Sequence, residues 1–339
     1  MSAAAGGARG WAVLWLAALL VLLAARAQAA APVLALDVQA VPQRLDPVVR
    51  VLEDPGGQLT VQAVREPGRQ TLFQPVSGRT GANFGLSRSA FWLQATVQPP
   101  PGAPADWLLE VAYPPLDAIE LYVGRAREPL VGGDKRPFAS RAVAHRNHVF
   151  PLRLVPGEPV TLLLRVQSEG AVNVPLRLWT PQAMWRNDQV AYGVLSLYFG
   201  LLGGLLLYNL LLYATLREPA WGWYVAFVGS MAVAQATLDG VGAQFLWPQA
   251  SEWNSLATPV SLAASALLGM QFARSFLDSR SRLPRLDRLL RGLAVGWAVA
   301  AVVAVGWWYW ASSRLTLLLA PVSVGAMLLV GWQAGRSPV

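Results

Sequence analysis

Of the chain's 339 residues, 54% are hydrophobic, only 14% are charged and 15 are Trp, a balance that excludes an ordinary soluble domain and points to an integral membrane protein. The formal charge of +8 sits on arginines, Lys135 being the sole lysine. In the second half of the chain the arginines lie near the ends of apolar segments, where the basic bias of cytoplasmic loops accounts for them, and nucleic acid is set aside as a partner. Cysteine is absent, which removes disulfides, thiolate metal sites and thiol nucleophiles.

Residues 1 to 29 have the three parts of a secretory signal: Arg9, an apolar run from Trp11 to Ala25, and the small-x-small triplet Ala27, Gln28, Ala29. Cleavage after Ala29 is expected; an uncleaved anchor helix is the alternative, and either exports the chain from residue 31 onward. The absence of an Asn-x-Ser/Thr sequon favours a bacterial periplasm over a glycosylating lumen.

Residues 31 to 183 are punctuated by Pro and Gly and broken into short runs of period-two alternation, which predicts an all-β extracytoplasmic sandwich of six to eight strands. Phe91, Leu93, Ala95 and Val97 share one strand face, opposite Trp92 and Gln94. Ile119, Leu121 and Val123 share another, opposite Glu120 and Tyr122; His148, Phe150, Leu152 and Leu154 a third; Val160, Leu162, Leu164 and Val166 a fourth.

From about 190 onward the chain reads as a multi-pass α-helical membrane domain, 190 to 335. Spans are expected at about 190 to 213, 221 to 238, 255 to 273, 292 to 311 and 315 to 334, since about twenty apolar residues cross a hydrocarbon core as a helix. The loop from Arg274 to Arg291 holds six arginines against Asp278 and Asp287. That loop is assigned to the cytoplasm, which puts the C-terminus there as well. Trp307, Trp308, Tyr309 and Trp310 form an interfacial cluster at the outer end of the fourth span, and Arg314 is a lone basic residue outside.

The ordered set LEDPGGQLT (52 to 60), FGLSRSAFWLQ (84 to 94), WLLEVAYPPLDAIELYV (107 to 123), HRNHVFPLRL (145 to 154), LLLRVQSEGAVNVPLRLW (162 to 179), YGVLSLYFGLLGGLLLYNLLLY (192 to 213) and DGVGAQFLWP (239 to 248) resembles the bacterial seven-transmembrane receptors with diverse intracellular signalling modules. The resemblance covers residues of about 45 to 335. It implies a jelly-roll extracellular domain similar to carbohydrate-binding modules, a location in the bacterial inner membrane, and seven helices with a cytoplasmic output domain. Five spans followed by GRSPV fit a truncated receptor.

Several side chains are candidates for a site. Trp92 and Tyr122 face away from the apolar strand faces and could stack on a sugar ring, with Arg141, Arg146 or Asp134 supplying hydrogen bonds; Trp107, Tyr113 and Trp179 are further candidates. The alternative for these aromatics is packing between sheets or against the membrane helices. His145 and His148, three apart on a strand, would point to opposite faces, which argues against a metal site. Gly200 with Gly204 and Gly292 with Gly296 permit close helix approach, within the bundle or in a homodimer. Asn209 should find a partner on a neighbouring helix, Pro321 should kink the last span, and Asp239 could pair with Arg314. The loop after Asp239 is expected to meet the β domain, these being the two large extracytoplasmic pieces.

Neither a nucleophile motif nor a paired-carboxylate signature is evident, so no enzyme and no cofactor is expected. The reading is a receptor that binds a small ligand, a saccharide among the candidates, and passes the signal through its helices to an output module. A membrane-anchored carbohydrate- or protein-binding scaffold without output is the alternative.

Overall fold

The computed structural model describes residues 32–76, 81–306 and 309–336; the expected signal segment, Trp307 and Trp308 lie outside these residues. Thirteen strands form the first part of the described chain: β1 (Val33–Ala35), β2 (Gln43–Arg44), β3 (Arg50–Asp54), β4 (Gln74–Pro75), β5 (Asn83–Leu86), β6 (Ala90–Gln98), β7 (Asp106–Val111), β8 (Ala118–Val123), β9 (Leu130–Gly132), β10 (His148–Arg153), β11 (Val160–Gln167), β12 (Ala171–Asn173) and β13 (Leu176–Trp179). One sheet runs β4-β3-β6-β11-β8-β9, with β1 parallel to the end of β6; a second runs β10-β7-β13-β2, and β5 pairs with β12 in a third of two strands.

Register explains the core. Leu164 of β11 stands opposite both Leu93 of β6 and Leu121 of β8. In the facing sheet Leu109 of β7 stands opposite Phe150 of β10 and Leu178 of β13. Both rows point into one shared core, as the alternation of each strand requires. Each such leucine contributes about 1.5–3 kcal/mol by leaving water. Strand faces read from the sequence are therefore the faces that pack.

The opposite face of the first sheet is not open. Two short helices, α1 (Val61–Val64) and α2 (Pro67–Gln70), fold across it and bring Val61, Val64 and Phe73 onto Trp92, Tyr122 and Leu163. The Arg65 guanidinium donates to the carbonyls of Gly124 and Ala126 and pins the cover down.

Five long helices come next: α3 (Pro181–Leu216), α4 (Pro219–Leu238), α5 (Ser251–Phe276), and, after the short α6 (Ser279–Arg282), α7 (Pro284–Val305) and α8 (Tyr309–Arg336). Four of them, α3, α5, α7 and α8, are long and apolar enough to cross a membrane. α4 has 20 residues and no charged side chain, but Trp221, Trp223, Tyr224 and Gln235 dilute its apolar character. α3 begins at Pro181, well before the apolar run, because proline suits a first helical position and the chain leaves β13 with only Thr180 between. Its 36 residues span about 54 Å, more than the roughly 30 Å of a hydrocarbon core. The first turns of α3 therefore stay with the β domain.

Direction alternates. α3 leaves the β domain; α4 returns, so that Gly240 lies against the Arg146 carbonyl and Pro114. α5 leaves from Asn254, whose side chain donates to the Asp134 carbonyl. α7 returns with Val305 lining one cleft together with Asp117 and Glu252, and α8 leaves from Trp310, over whose ring the exposed Arg88 of the β domain lies at 4.6 Å.

Several expectations change. Gly200, Gly204 and Gly292 have nothing within 4 Å of a notional Cβ, and only Gly296 meets a neighbour, Leu319. Asn209 donates to Leu205 in its own helix at 2.7 Å, which satisfies the amide without a second helix. Pro321 lies inside a continuous α8, and a second internal proline, Pro259, lies inside α5. Pro219 starts α4; the turn before it is made by Arg217 in the left-handed conformation, closing α3.

Candidate functional site

The β domain and the helices meet through the chain itself and through hydrogen bonds that cross between them, the Asn254 amide to the Asp134 carbonyl among them. First, β13 runs straight into α3, and the buried Glu110 of β7 holds that exit: one carboxylate oxygen accepts from the Trp179 indole at 2.8 Å, the other from the Asn147 amide. Second, Tyr192 on α3 accepts from the Arg146 backbone N–H at 3.3 Å and donates to Gln244 at 2.8 Å. Third, the Arg146 guanidinium reaches the Asp239 carbonyl at 3.4 Å, and the Phe138 N–H donates to the Pro248 carbonyl. Residues 145–147, α3 and the α4–α5 connection thus form one bonded unit.

Beside this unit lies a cleft of about 450 Å³ lined by Asp117, Lys135 and Glu169 from the β domain, Ser251, Glu252, Ser255 and Leu256 from the start of α5, and Val305 from the end of α7. Its volume falls in the range of small-molecule sites, and domain junctions are common places for them. Lys135 bridges Asp117 at 3.1 Å and Glu169 at 3.2 Å. Burial works against the ammonium, but the two carboxylates outweigh it and the Lys135 pKa is raised. Glu252 has no ion-pair partner among the described residues.

Next in sequence to Lys135, Asp134 is buried, and one carboxyl oxygen has no hydrogen-bond partner. Burial, and then the neighbouring Asp117, push its pKa up to about 8. Burial lowers the Arg141 pKa to about 10 against the pull of Asp134. The His148 pKa is lowered to about 3 by burial, with Arg141 adding to it.

The segment 46–180 matches the family model described as 7TMR-DISM extracellular 2, and 191–338 matches the one described as 7TM diverse intracellular signalling. The first match ends where β13 enters α3, and the second begins within α3. The chain belongs to the seven-transmembrane receptors with diverse intracellular signalling modules. Comparison with curated proteins returns no match. Neither family model describes a catalytic domain, and membership makes the chain a membrane sensory receptor with an extracellular domain before its helices.

In this receptor the aromatics expected as a sugar platform are covered. Trp92 is 0% exposed and Tyr122 7%; their rings stack on each other at 6.0 Å beneath α1 and Phe73. A platform needs an open ring face, and the α1–α2 cover removes it. Trp107 and Trp179 are buried too, and Tyr113 packs against the core.

Arg141 and Arg146 stand at the junction rather than on a binding face: Arg141 donates to the carbonyls of His145, Arg146 and Asn147, and Arg146 also lies near the Tyr192 ring. His145 precedes β10 and meets Asp188 of α3 at 3.3 Å, while His148 reaches the Pro114 carbonyl at 2.9 Å. Among the described residues no group of three or more His, Asp or Glu gathers as metal ligands. Asp239 accepts from Gln235, and Arg314 lies over Trp310 at 3.5 Å, so these two do not pair with each other. Lys135, Glu169 and Glu252 carry no local motif that marks them as site residues. The one signal in the sequence is that Lys135 is the sole lysine of an arginine-rich chain.

Proposed function

We propose that the receptor senses a small polar ligand in the cleft between its β domain and the start of α5, and passes occupancy through the helices to a cytoplasmic output module. The observation that carries this reading is the shared lining: Asp117, Lys135 and Glu169 come from one domain, and Ser251, Glu252 and Ser255 from the other. A ligand touching both sides prefers one arrangement of the two, and that preference is what a receptor needs in order to shift a population. Carboxylates and hydroxyls suit a hydroxyl-rich molecule, which keeps a saccharide among the candidates.

The reading includes five crossings. α4 is counted because it returns the chain to the β domain over a length of about 30 Å. The β domain is then periplasmic and the arginine-rich turn cytoplasmic, in a bacterial inner membrane.

A saccharide and metabolite thermal-shift screen on the full chain in nanodiscs tests the binding. A hit that Glu252→Gln weakens at least about tenfold, the scale of one charge-assisted hydrogen bond, supports the cleft. Tyr192→Phe should leave that affinity in place and blunt the ligand-induced change in spin-label distance between the β domain and α5. A screen without any hit overturns the sensing role of the cleft.

A further inference from the structure

At the end of the helices remote from the β domain, six arginines fall within residues 274–291, and the structure divides them into two classes. Asp287, fully buried, takes Arg274 of α5 at 2.8 Å and Arg291 of α7 at 2.7 Å, and accepts from Ser279 at 2.9 Å. This clamp fixes the turn between α5 and α7. Arg280, Arg282, Arg285 and Arg288 are left exposed, with no ion pair among the described residues.

Their placement concentrates the charge. Arg280 and Arg282 sit on α6; Arg285 and Arg288 are three apart on the first turns of α7, where like charges repel and where the helix start adds positive potential. Asp278, the other acid of the turn, accepts from Ser281. Exposed apolar side chains, Phe276 and Leu289, flank the arginines. Guanidinium groups beside apolar side chains at the end of membrane-crossing helices match the boundary between phosphate headgroups and acyl chains. A guanidinium fork also fits a phosphodiester better than a point charge does.

We propose that this turn is a binding site for the headgroups of anionic phospholipids in the leaflet away from the β domain, held by Arg280, Arg282, Arg285 and Arg288 on the frame that Asp287 sets. The site depends on the membrane placement of α5 and α7 and is independent of the ligand cleft.

The test uses the full chain in nanodiscs of mixed phosphatidylglycerol and phosphatidylcholine, with native mass spectrometry counting the lipids retained on release. The wild-type chain should retain phosphatidylglycerol preferentially. Each single Arg→Gln variant at 280, 282, 285 or 288 should lose about fivefold of that preference, the effect of one surface arginine on an anionic leaflet. The fourfold Arg→Lys variant, which keeps the charge and loses the fork, should retain a preference between those of the wild type and the Gln variants. Gln variants that hold phosphatidylglycerol as tightly as the wild type would overturn the site. So would displacement of the lipid by excess inorganic phosphate, which would mark a free-anion site, or binding of an acidic protein without any lipid preference.

Discussion

Two buried acids of the β domain play opposite parts. Glu110 is satisfied: its oxygens accept from Trp179 and Asn147, and Arg177 stands at 3.9 Å. Because Trp179 is the last residue before the turn into α3, Glu110 ties the sheet to the helix that leaves it. Glu110→Gln weakens the charge-assisted acceptor and turns an amide donor toward other donors. It should lower stability by about 2 kcal/mol, read as an earlier midpoint in thermal unfolding of the full chain in detergent. Asp134 is the unsatisfied one. Its folded pKa of about 8 stands above the roughly 3.9 of an unfolded aspartate, so the folded state holds a proton that the unfolded chain releases. Its contribution to stability is whole below about pH 4 and is lost progressively as pH rises toward 8. The melting temperature of the wild-type chain should therefore fall between pH 5 and pH 8 more steeply than that of Asp134→Asn, which carries no titrating group there. Equal slopes would mean that the carboxyl is already ionised when folded.

Among the elements, the strands are the most legible from sequence and the junction the least. Period-two alternation names Phe91, Leu93, Ala95 and Val97 as one face, and that face is the core, because a strand has only two sides. Alternation cannot say what lies on the second side. Trp92 and Tyr122 do stand there, yet Val61, Val64 and Phe73 cover them from a stretch with no sustained period. The start of α3 is legible in principle, since Thr180-Pro181 is a helix-start signature; the apolar run simply begins later. The junction brings Arg146, Tyr192, Asp239 and Gln244 together from separate elements, and no local pattern encodes such a meeting. Only the loop after Asp239 is foreseeable as a contact with the β domain. Within it Gly240 has φ +75° and would press a Cβ into the Arg146 carbonyl and Pro114. Gly240→Ala incurs the left-handed penalty of at least about 1 kcal/mol and must also move the loop off the β domain. The expected outcome is a wider spin-label distance between residues 142 and 249, with the unfolding of α5, α7 and α8 little changed.

On the scale of the whole molecule, the β domain touches the helices wherever the chain comes up to it: at the exit of β13, at the α4–α5 connection and at the start of α8. The arginine-rich turn lies at the far end, clamped by Asp287. Cleft and turn therefore lie at opposite ends of α5 and α7, and in the proposed topology on opposite sides of the bilayer. That topology requires α4 to cross as well, a 20-residue helix without a charged side chain that is not among the four helices apolar enough to be counted by hydropathy. If α4 stayed at one surface, α5 would leave from the wrong side, and the six arginines would face outward against the basic bias of cytoplasmic loops. The absence of cysteine makes this directly measurable, because any single cysteine introduced is the only thiol in the chain. In intact cells Gln249→Cys should react with a membrane-impermeant maleimide, whereas Ser281→Cys should react only after the inner membrane is opened. Labelling of Ser281→Cys in intact cells would invert the bundle and with it the route from cleft to output.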